Sequence, residues 1–462
     1  ILYIACADSF IFGRVYFQCR KRGEKSCNNH FVCCFSYIDN SVSDFLTLHC
    51  FWDRIIIGKT KTEEFTASGD VFKVGIISDT QLPPNEKKLE ENDLYVRHLR
   101  TALEELKNNG VDMILFAGDV GDAGSYFAFK TYKNTIDEVF GNDKPVIQTI
   151  MGNHDYWSES ALSANAHIKA FKKVLGQSPW THYVVNGYHF IGASPNNGSM
   201  SCGYKLTSKW LDRELEKANK DTPDKPIFVM THNQPKDTCY GSEDWGDSSL
   251  NEVLSKYPNA VIFSGHSHYS ILDERSIWQG DYTVLSTQSL SYTELEGGKE
   301  NGSIPPNPAA NPMGYILEFE NNEVKIHRMS FDGTNLGTEQ KNDMLWTLPL
   351  PYKNDRRYAF ESRKERNSAP IITDTACSTK TGKDSIMLSF AAAADDDFVH
   401  SYKVVIDGNE EKLFFSDYYN GIDNMSKTVE LTLKSDGQKH NYKIYALDSW
   451  GAQSKDCIEI DA

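Results

Sequence analysis

Five stretches decide the fold of this chain: VGIISDTQ at residues 74–81, MILFAGDVGD at 113–122, VIQTIMGNHD at 146–155, IFVMTH at 227–232 and VIFSGHSH at 261–268. Each one is an apolar run followed directly by polar residues. Apolar runs of this length are typical of buried parallel strands. Ligands in α/β folds collect outside the carboxyl ends of such strands. The five stretches therefore predict one polar site built at five strand ends.

The order and the residue types of the polar segments resemble those of the calcineurin-like metallophosphoesterase family, over roughly residues 72–331. The family pattern is Asp-x-His, Gly-Asp-x-x-Asp, Gly-Asn-His-Asp/Glu, a lone His and Gly-His-x-His. The chain follows this pattern except at Gln81, where most members have His. The resemblance implies an α/β fold of two stacked mixed β-sheets flanked by helices. It also implies metal-dependent hydrolysis of a phosphate ester.

The resemblance further implies a binuclear metal site with seven protein ligands. One divalent ion would take Asp79, Gln81, Asp119 and His268, and the other would take Asp119, Asn153, His232 and His266. Asp119 would bridge the two ions, which a carboxylate's two oxygens permit. Two ions about 4 Å apart bind the phosphoryl oxygens and acidify a bridging water, so the implied nucleophile is hydroxide.

His154, in the segment GNHD, is not a ligand in the family pattern. The resemblance places it facing the leaving group, as the general acid. Asp122 is expected to hydrogen-bond the far nitrogen of this ring, fix its tautomer and raise its pKa. Asp155, the next residue, is expected to have a structural role.

Gln81 bears on the identity of the metal. An amide oxygen is a harder ligand than imidazole, and hard oxygen ligands favour Mn²⁺ or Mg²⁺ over Zn²⁺. The expected cofactors are therefore two divalent ions, Mn²⁺ or Mg²⁺ by preference, with Zn²⁺ or Fe as alternatives.

The composition limits the partners of this chain. Its 462 residues, 40% of them hydrophobic and 24% charged, are ordinary for soluble globular domains. The formal net charge of −16 repels nucleic acid and anionic membranes at long range, and no nucleic-acid-binding patch is evident. No run of about 20 apolar residues predicts a membrane span. The expected substrate is a small phosphate ester.

Four regions are predicted along the chain. Residues 1–70 form a Cys-rich segment of uncertain structure, and 71–345 form the catalytic domain. Residues 346–367 are densely charged and are interpreted as a linker. Residues 368–462, which we call the tail, contain short alternating segments separated by turns such as Asp407-Gly408. This pattern predicts an all-β sandwich, and its last strands resemble a fibronectin type III or immunoglobulin-like module.

The tail is expected to fold independently and to contribute no catalytic group. A protein or glycan partner of the tail would fit such a module. Four late cysteines suggest two disulfides, Cys202 with Cys239 and Cys377 with Cys457, if the protein is exported. The fibronectin-like tail suggests export, so a secreted or cell-surface location is expected, with a cytoplasmic protein as the alternative.

Two questions remain open at the level of sequence. Phosphatase and phosphodiesterase activities use the same kind of site, and the loops at 194–204 and 239–247, expected to rim the pocket, decide between them. A catalytically degenerate metal-binding or adhesion protein, which uses its tail for partner binding, is the alternative to an enzyme. The complete ligand set with His154 favours the enzyme.

Overall fold

A computed structural model describes residues 57–67, 71–158, 163–331, 345–421 and 424–462. The six cysteines of the predicted N-terminal segment lie outside the described residues. The strands that the structure contains are β1 Thr62–Phe65, β2 Phe72–Ile77, β3 Met113–Phe116, β4 Val146–Thr149, β5 Trp180–Val185, β6 Tyr188–Ala193, β7 Ile227–Thr231, β8 Ala260–Ser264, β9 Ile277–Gln279, β10 Thr283–Ser286, β11 Met313–Phe319, β12 Glu323–Ser330, β13 Leu345–Pro349, β14 Cys377–Thr381, β15 Ser385–Ala391, β16 Ser401–Ile406, β17 Glu410–Phe415, β18 Thr428–Lys434, β19 Asn441–Leu447 and β20 Ile458–Asp461.

The helices lie mainly in the first two thirds of the chain. They are α1 Glu86–Glu91, α2 Leu94–Asn108, α3 Tyr126–Phe140, α4 Ala164–Leu175, α5 Thr207–Asp221, α6 Ser242–Trp245, α7 Asn251–Leu254 and α8 Phe360–Arg366. Single 3-10 turns occur at His154–Tyr156, Glu274–Ser276 and Tyr418–Asn420. Among the residues that the structure describes, no helix is long and apolar enough to cross a membrane.

Two mixed sheets form the centre of the predicted catalytic domain, which with its adjoining strands we call the catalytic region. One has the strand order β1-β5-β6-β7-β8-β10-β9 and the other has the order β13-β12-β11-β2-β3-β4. Alternate side chains of β2 and β3 share one core with side chains of β6, β7 and β8: Val74, Ile76, Met113, Leu115, Phe190, Phe228, Met230 and Phe263. The period-2 alternation of a strand sends the intervening residues to the other face of each sheet. The predicted pair of stacked mixed sheets is therefore confirmed.

Helices cover the outer faces of both sheets. Tyr132 of α3 packs against Phe116 of β3, with ring centroids 4.9 Å apart. The apolar side of α5, with Trp210, Leu211 and Leu215, belongs to the same buried cluster as Ile227 of β7. The layers are thus helix, sheet, sheet and helix, which hides both faces of each sheet from water.

The structure extends the catalytic region beyond both predicted boundaries. β1 precedes residue 71 and pairs in parallel with β5. β13 begins the stretch interpreted as a linker, but it pairs with β12 at the edge of the second sheet. Edge strands of four or five residues are too short to stand out in a charged or irregular sequence. The hairpin at Asn186-Gly187, in contrast, joins β5 to β6 as its two-residue turn predicts.

The tail forms two antiparallel sheets around its own small core. Their strand orders are β14-β15-β18 and β17-β16-β19-β20. Leu388 and Leu433 from the first sheet pack in one cluster with Val404 and Ile444 from the second. The tail is therefore an all-β region, as its alternating pattern predicts.

The tail also shares a core with the catalytic region, and its independent folding stays a prediction. Phe398, Phe415, Tyr418 and Tyr419 belong to the buried cluster between the two catalytic sheets. Backbone hydrogen bonds add to this contact: the amide of Glu300, in the loop at 297–312, donates to Leu413 O at 2.7 Å. Side chains of this size are anchors of an interface rather than a flexible link.

The two predicted disulfides are absent from the described residues. Cys239 is a free thiol that is completely buried, so it is not bonded to Cys202. Burial raises the pKa of the Cys239 thiol well above its usual range. Cys377 and Cys457 are free thiols as well.

Candidate metal centre

Five strand ends bring the seven predicted ligands together. Asp79 and Gln81 follow β2, Asp119 follows β3, Asn153 follows β4, His232 follows β7, and His266 and His268 follow β8. All seven are buried, with exposed fractions between 0% and 8%. Buried polar groups are costly unless they are paired or bind a metal, so packing alone does not account for this cluster.

The first group of predicted ligands consists of Asp79, Gln81 and His268. Oδ1 of Asp79 lies 3.3 Å from Nε2 of His268. The side-chain amide of Gln81 lies 3.5 Å from the same ring nitrogen. Because O and N of an amide are assigned by hydrogen-bonding context, the opposite orientation of this amide would direct its oxygen to the same point. The group offers two oxygen ligands and one nitrogen ligand.

The second group lies around Asp119. Asp119, His232 and His266 each offer one ligand atom, and these atoms lie within 4.8 Å of one another. Nε2 of His232 is 3.2 Å from Oδ2 of Asp119 and 2.9 Å from Oδ1 of Asn153. One carboxylate, one amide oxygen and two imidazoles therefore converge, which is a donor set suited to a divalent metal ion.

Backbone carbonyls fix the orientation of all three ligand imidazoles. Nδ1 of His232 lies 2.9 Å from Ala117 O, and Nδ1 of His268 lies 3.1 Å from Tyr292 O. His266 is held from the other side of its ring, since its Nε2 lies 2.9 Å from Met200 O. A carbonyl only accepts, so each of these nitrogens carries the proton. In the neutral ring the opposite nitrogen keeps its lone pair, as it does in metal-binding histidines.

Five of the predicted ligands have a left-handed backbone. The φ angles are 53° at Asp79, 44° at Gln81, 53° at Asp119, 73° at His266 and 57° at His268. Residues other than glycine adopt this region rarely, at a cost of about 1 kcal/mol or more each. Strain that accumulates at five neighbouring polar residues indicates that the backbone is shaped to aim these side chains.

Glycines allow the ligand segments to approach each other. A Cβ atom on Gly152 would clash with Oδ1 of Asp119, and a Cβ atom on Gly265 would clash with Oδ2 of Asp79. The glycines of the GNHD and GHSH segments therefore leave room for the two carboxylates of the site.

His154 lies beside the ligand cluster. Its Nδ1 is 2.9 Å from Asp122 O and 3.6 Å from Asp122 Oδ1, while its Nε2 is 3.9 Å from Oδ2 of Asp119. The hydrogen bond to Asp122 thus runs to the backbone carbonyl, and the carboxylate adds an ion-pair contact. The His154 ring also packs on Trp157, with centroids 4.0 Å apart.

The charges of the site are mutually dependent. Burial raises the pKa of the Asp119 carboxyl, but the neighbouring His232, His154 and His266 outweigh burial and hold that pKa well below its usual range. Burial lowers the pKa of His154, whereas the hydrogen bond to Asp122 and the charge of Asp119 raise it to about 9. Both influences favour the imidazolium, which is the form that a general acid must have before it donates.

Asp155 has a structural role here, as expected. It is completely buried and accepts hydrogen bonds from the backbone amides of Val120, Gly121 and Gly152 at 3.2, 3.0 and 2.9 Å. These amides belong to the two segments that carry Asp119 and His154. Asp155 therefore ties two strand ends of the site together.

Replacing Asp155 by alanine should destabilise the protein. Three buried amides would lose their acceptor, at about 1–3 kcal/mol for each group, so we expect a loss of roughly 3 kcal/mol or more in the free energy of unfolding. Urea denaturation measures it, with the exposed Asp143→Ala as a control that changes nothing. A variant of unchanged stability that loses turnover would instead place Asp155 in the chemistry.

The loop at 194–204 reaches the site through Met200. Its carbonyl accepts from Nε2 of His266 at 2.9 Å and from Nδ2 of Asn233 at 2.7 Å. Nδ2 of Asn153 lies 3.3 Å from the Met200 thioether sulfur. Sequence reasoning missed Met200, because an apolar residue in a loop carries no signal for backbone contacts.

The aromatic residues of the loops at 194–204 and 239–247 lie at different depths. Tyr204 and Tyr240 are buried, so they lie beneath the rim. The hydroxyl of Tyr204 accepts a hydrogen bond from the backbone amide of His232 at 2.5 Å. Trp245 is half-buried and packs edge-on against His266 at 5.6 Å. Both loops therefore reach the site, and Tyr204 supports the ligand His232 from below.

Comparison with known proteins agrees with this geometry. Residues 72–270 match the family model described as calcineurin-like phosphoesterase. A probable cyclic nucleotide phosphodiesterase of Synechococcus sp. is 20% identical over 255 residues, which are 53% of this chain and 92% of that protein.

Two solved structures are also similar. A dimetal phosphatase from Danio rerio is 11% identical and covers 61% of this chain and 99% of its own, with a TM-score of 0.41. A purple acid phosphatase from yellow lupin (Lupinus luteus) seeds is 13% identical and covers 59% of this chain and 53% of its own, with a TM-score of 0.41.

The family match gives the class of this part of the chain, in agreement with its fold and its buried ligand cluster. Residues 72–270 are a calcineurin-like phosphoesterase domain. Members of this class are hydrolases of phosphate esters, and their chemistry depends on divalent metal ions.

Proposed function

We propose that this protein hydrolyses a small phosphate ester at a binuclear centre held by the seven predicted ligands. The observation that carries this proposal is the convergence of three imidazoles, each tied by one nitrogen to a backbone carbonyl, on the carboxylates of Asp79 and Asp119. A catalytically degenerate adhesion protein would have no need to keep this complete arrangement.

The donor set fits two divalent ions, one for each group, with Asp119 shared between the groups. When bound, two such ions neutralise the phosphoryl oxygens and lower the pKa of a water. Asp79 and Asp119 would supply the negative charge that holds both ions. Asn153 and the imidazoles would serve as neutral ligands, which would keep the site from becoming too negative to admit a phosphate.

His154 acts as the general acid in this proposal. A protonated imidazole beside the cluster donates to the leaving oxygen as the ester bond breaks. Asp122 holds the ring through its carbonyl and favours the imidazolium through its carboxylate. Trp157, which packs on the ring at a tilt, restricts its rotation.

Gln81 favours Mn²⁺ or Mg²⁺ in the first group. Replacing Gln81 by His should shift the preference of the enzyme toward Zn²⁺, because imidazole is a softer ligand than an amide oxygen. Gln81→Glu, which keeps a hard oxygen at the same place, should retain the Mn²⁺ preference. Reconstitution of the metal-free variants with single metals, followed by turnover, measures this. A wild-type protein that holds zinc tightly in both groups would contradict the assignment.

A turnover assay tests the proposed function. The wild-type protein with Mn²⁺ should hydrolyse para-nitrophenyl phosphate or its bis ester, and a chelator should abolish that turnover reversibly. The relative rates on the two esters separate phosphatase from phosphodiesterase. Because the similar Synechococcus protein is named a probable cyclic nucleotide phosphodiesterase, cyclic nucleotides are the first natural diesters to test. No metal-dependent turnover of any of these esters would count against the proposal.

We propose that the tail is a fibronectin type III-like module. Its two antiparallel sheets, one of three strands and one of four, support this proposal. A protein or glycan partner and a secreted or cell-surface location would suit such a module.

A further inference from the structure

Tyr418 of the tail reaches into the catalytic region. Its side chain is completely buried, and its hydroxyl lies 3.3 Å from the hydroxyl of Tyr240. The Tyr418 ring stacks on Phe398 with centroids 4.6 Å apart and lies 5.1 Å from the ring of His400. Tyr240 belongs to the loop at 239–247, which we call the rim loop. The tail therefore contributes part of the surface against which the rim loop packs.

On the side of the catalytic region, a buried guanidinium packs against Tyr240. The guanidinium of Arg275 lies 4.2 Å from the centroid of the Tyr240 ring, and Arg275 O accepts from the Tyr240 amide at 2.9 Å. The same guanidinium pairs with Asp273 at 2.7 Å and lies 3.3 Å from Nε2 of His400. Tyr240 is thus enclosed by groups from the catalytic region and from the tail.

Two contacts connect the rim loop to the metal ligands. The rings of Tyr240 and Tyr269 have centroids 4.8 Å apart, and Tyr269 directly follows the predicted ligand His268. The hydroxyl of Tyr269 donates to Asp244 Oδ2 at 3.2 Å. At the end of the same loop, Trp245 packs against the ring of His266. Displacement of the rim loop would therefore change the surroundings of both histidines.

We infer that Tyr418 is a positioning residue for the metal centre: through Tyr240 it holds the rim loop and the ligand segment at 265–269 in place. This inference rests on the proposed function for its consequence, but its structural part can be tested alone. The rim loop contains only the four-residue helix α6, which is too short to be stable without packing. Its order therefore depends on the surfaces that enclose it.

Hydrogen exchange of the metal-free protein tests the structural part. Tyr418→Ala should raise amide exchange across residues 236–248 by about tenfold, because the loop opens more often without its support. Tyr402→Ala is the matched control, since Tyr402 is buried in the tail and packs on Phe390 at 5.2 Å within the tail itself. An increase in the control variant alone, or equal exchange in both variants, would overturn the inference.

Metal binding tests the consequence at the site. Calorimetry should find that Tyr418→Ala weakens Mn²⁺ binding by about tenfold, the effect of losing an outer support of a ligand. Turnover at saturating Mn²⁺ should stay within about threefold, since His154 is untouched. Tyr418→Phe keeps the ring and should restore most of the affinity. A merely structural role would instead lower the folded fraction and leave the Mn²⁺ affinity of the folded protein unchanged, which would contradict the inference.

These measurements separate the two proposals. A wild-type protein that binds Mn²⁺ but hydrolyses no ester would defeat the proposed function, while exchange and Mn²⁺ affinity still decide the role of Tyr418. An active wild-type protein whose Tyr418→Ala variant has unchanged exchange and unchanged Mn²⁺ affinity would defeat the inference alone.

Discussion

Replacing Asp119 by Asn should remove nearly all turnover, by about 10³–10⁵-fold, because the shared ligand of both groups loses its charge. Several kcal/mol of electrostatic stabilisation depend on that carboxylate, and each 1.36 kcal/mol corresponds to a factor of ten in rate. Bound metal should fall from two ions per chain to one or fewer. Steady-state turnover and metal analysis by mass spectrometry measure both effects on the same sample.

Asparagine suits this test because it keeps the acceptor that the fold uses. The amide of His154 donates to Oδ1 of Asp119 at 2.9 Å, and the carbonyl oxygen of Asn can accept the same bond. Asp143→Asn, on the exposed surface, serves as the matched control. Retention of two metal ions and of wild-type turnover in Asp119→Asn would refute the shared-ligand assignment.

His154→Ala should lower turnover by about 10²–10⁴-fold while leaving the metal content intact, as the loss of a general acid does. The deficit should depend on the leaving group. An alkyl ester needs its leaving oxygen protonated, whereas para-nitrophenolate leaves readily without a proton. The variant should therefore be impaired far more on an alkyl phosphate than on para-nitrophenyl phosphate.

A uniform deficit across leaving groups would point to a different role for His154, such as clamping the substrate by charge. Loss of metal from the variant would show that this ring supports the ligand set. Trp157→Leu is the matched control for ring packing, because it removes the aromatic ring that packs on His154 but keeps the proton donor. It should retain most of the leaving-group dependence of the wild type.

The fold of the catalytic region can be predicted because each core strand is indicated by its own short stretch of sequence. An apolar run such as Met113–Phe116 followed by a polar segment identifies both a strand and the site at its end. The hairpin at Asn186-Gly187 was likewise readable, since a two-residue turn of this kind demands positive φ at both positions. The clustering of the ligands then follows from the rule that strand ends of parallel sheets meet at one edge.

The missed features depend on contacts between distant parts of the chain. Nothing in the local sequence indicates that β13 pairs with β12, or that Tyr418 packs behind Tyr240. The charged residues near β13 predict a linker. A strand at a sheet edge needs apolar residues on one face only, so its pattern is hard to see beside these charges. The burial of Tyr204 beneath its loop likewise depends on its contact with His232, which lies in a distant segment.

The sequence also does not predict the geometry of individual ligands. The positive φ angles at Gln81 and His266 are imposed by the surrounding fold, since neither residue type favours them. The Met200 carbonyl that orients His266 belongs to a loop more than sixty residues earlier in the chain. Residue types therefore predict which atoms bind, whereas the tautomers and angles that aim them come from the folded chain.

Anomalous diffraction at the manganese edge, from crystals grown with Mn²⁺, tests the central claim most directly. The account predicts two peaks about 4 Å apart, both within coordination distance of Asp119. One peak should lie beside Asp79, Gln81 and His268, and the other beside Asn153, His232 and His266. A single peak, or two peaks that do not share Asp119, would contradict the binuclear centre.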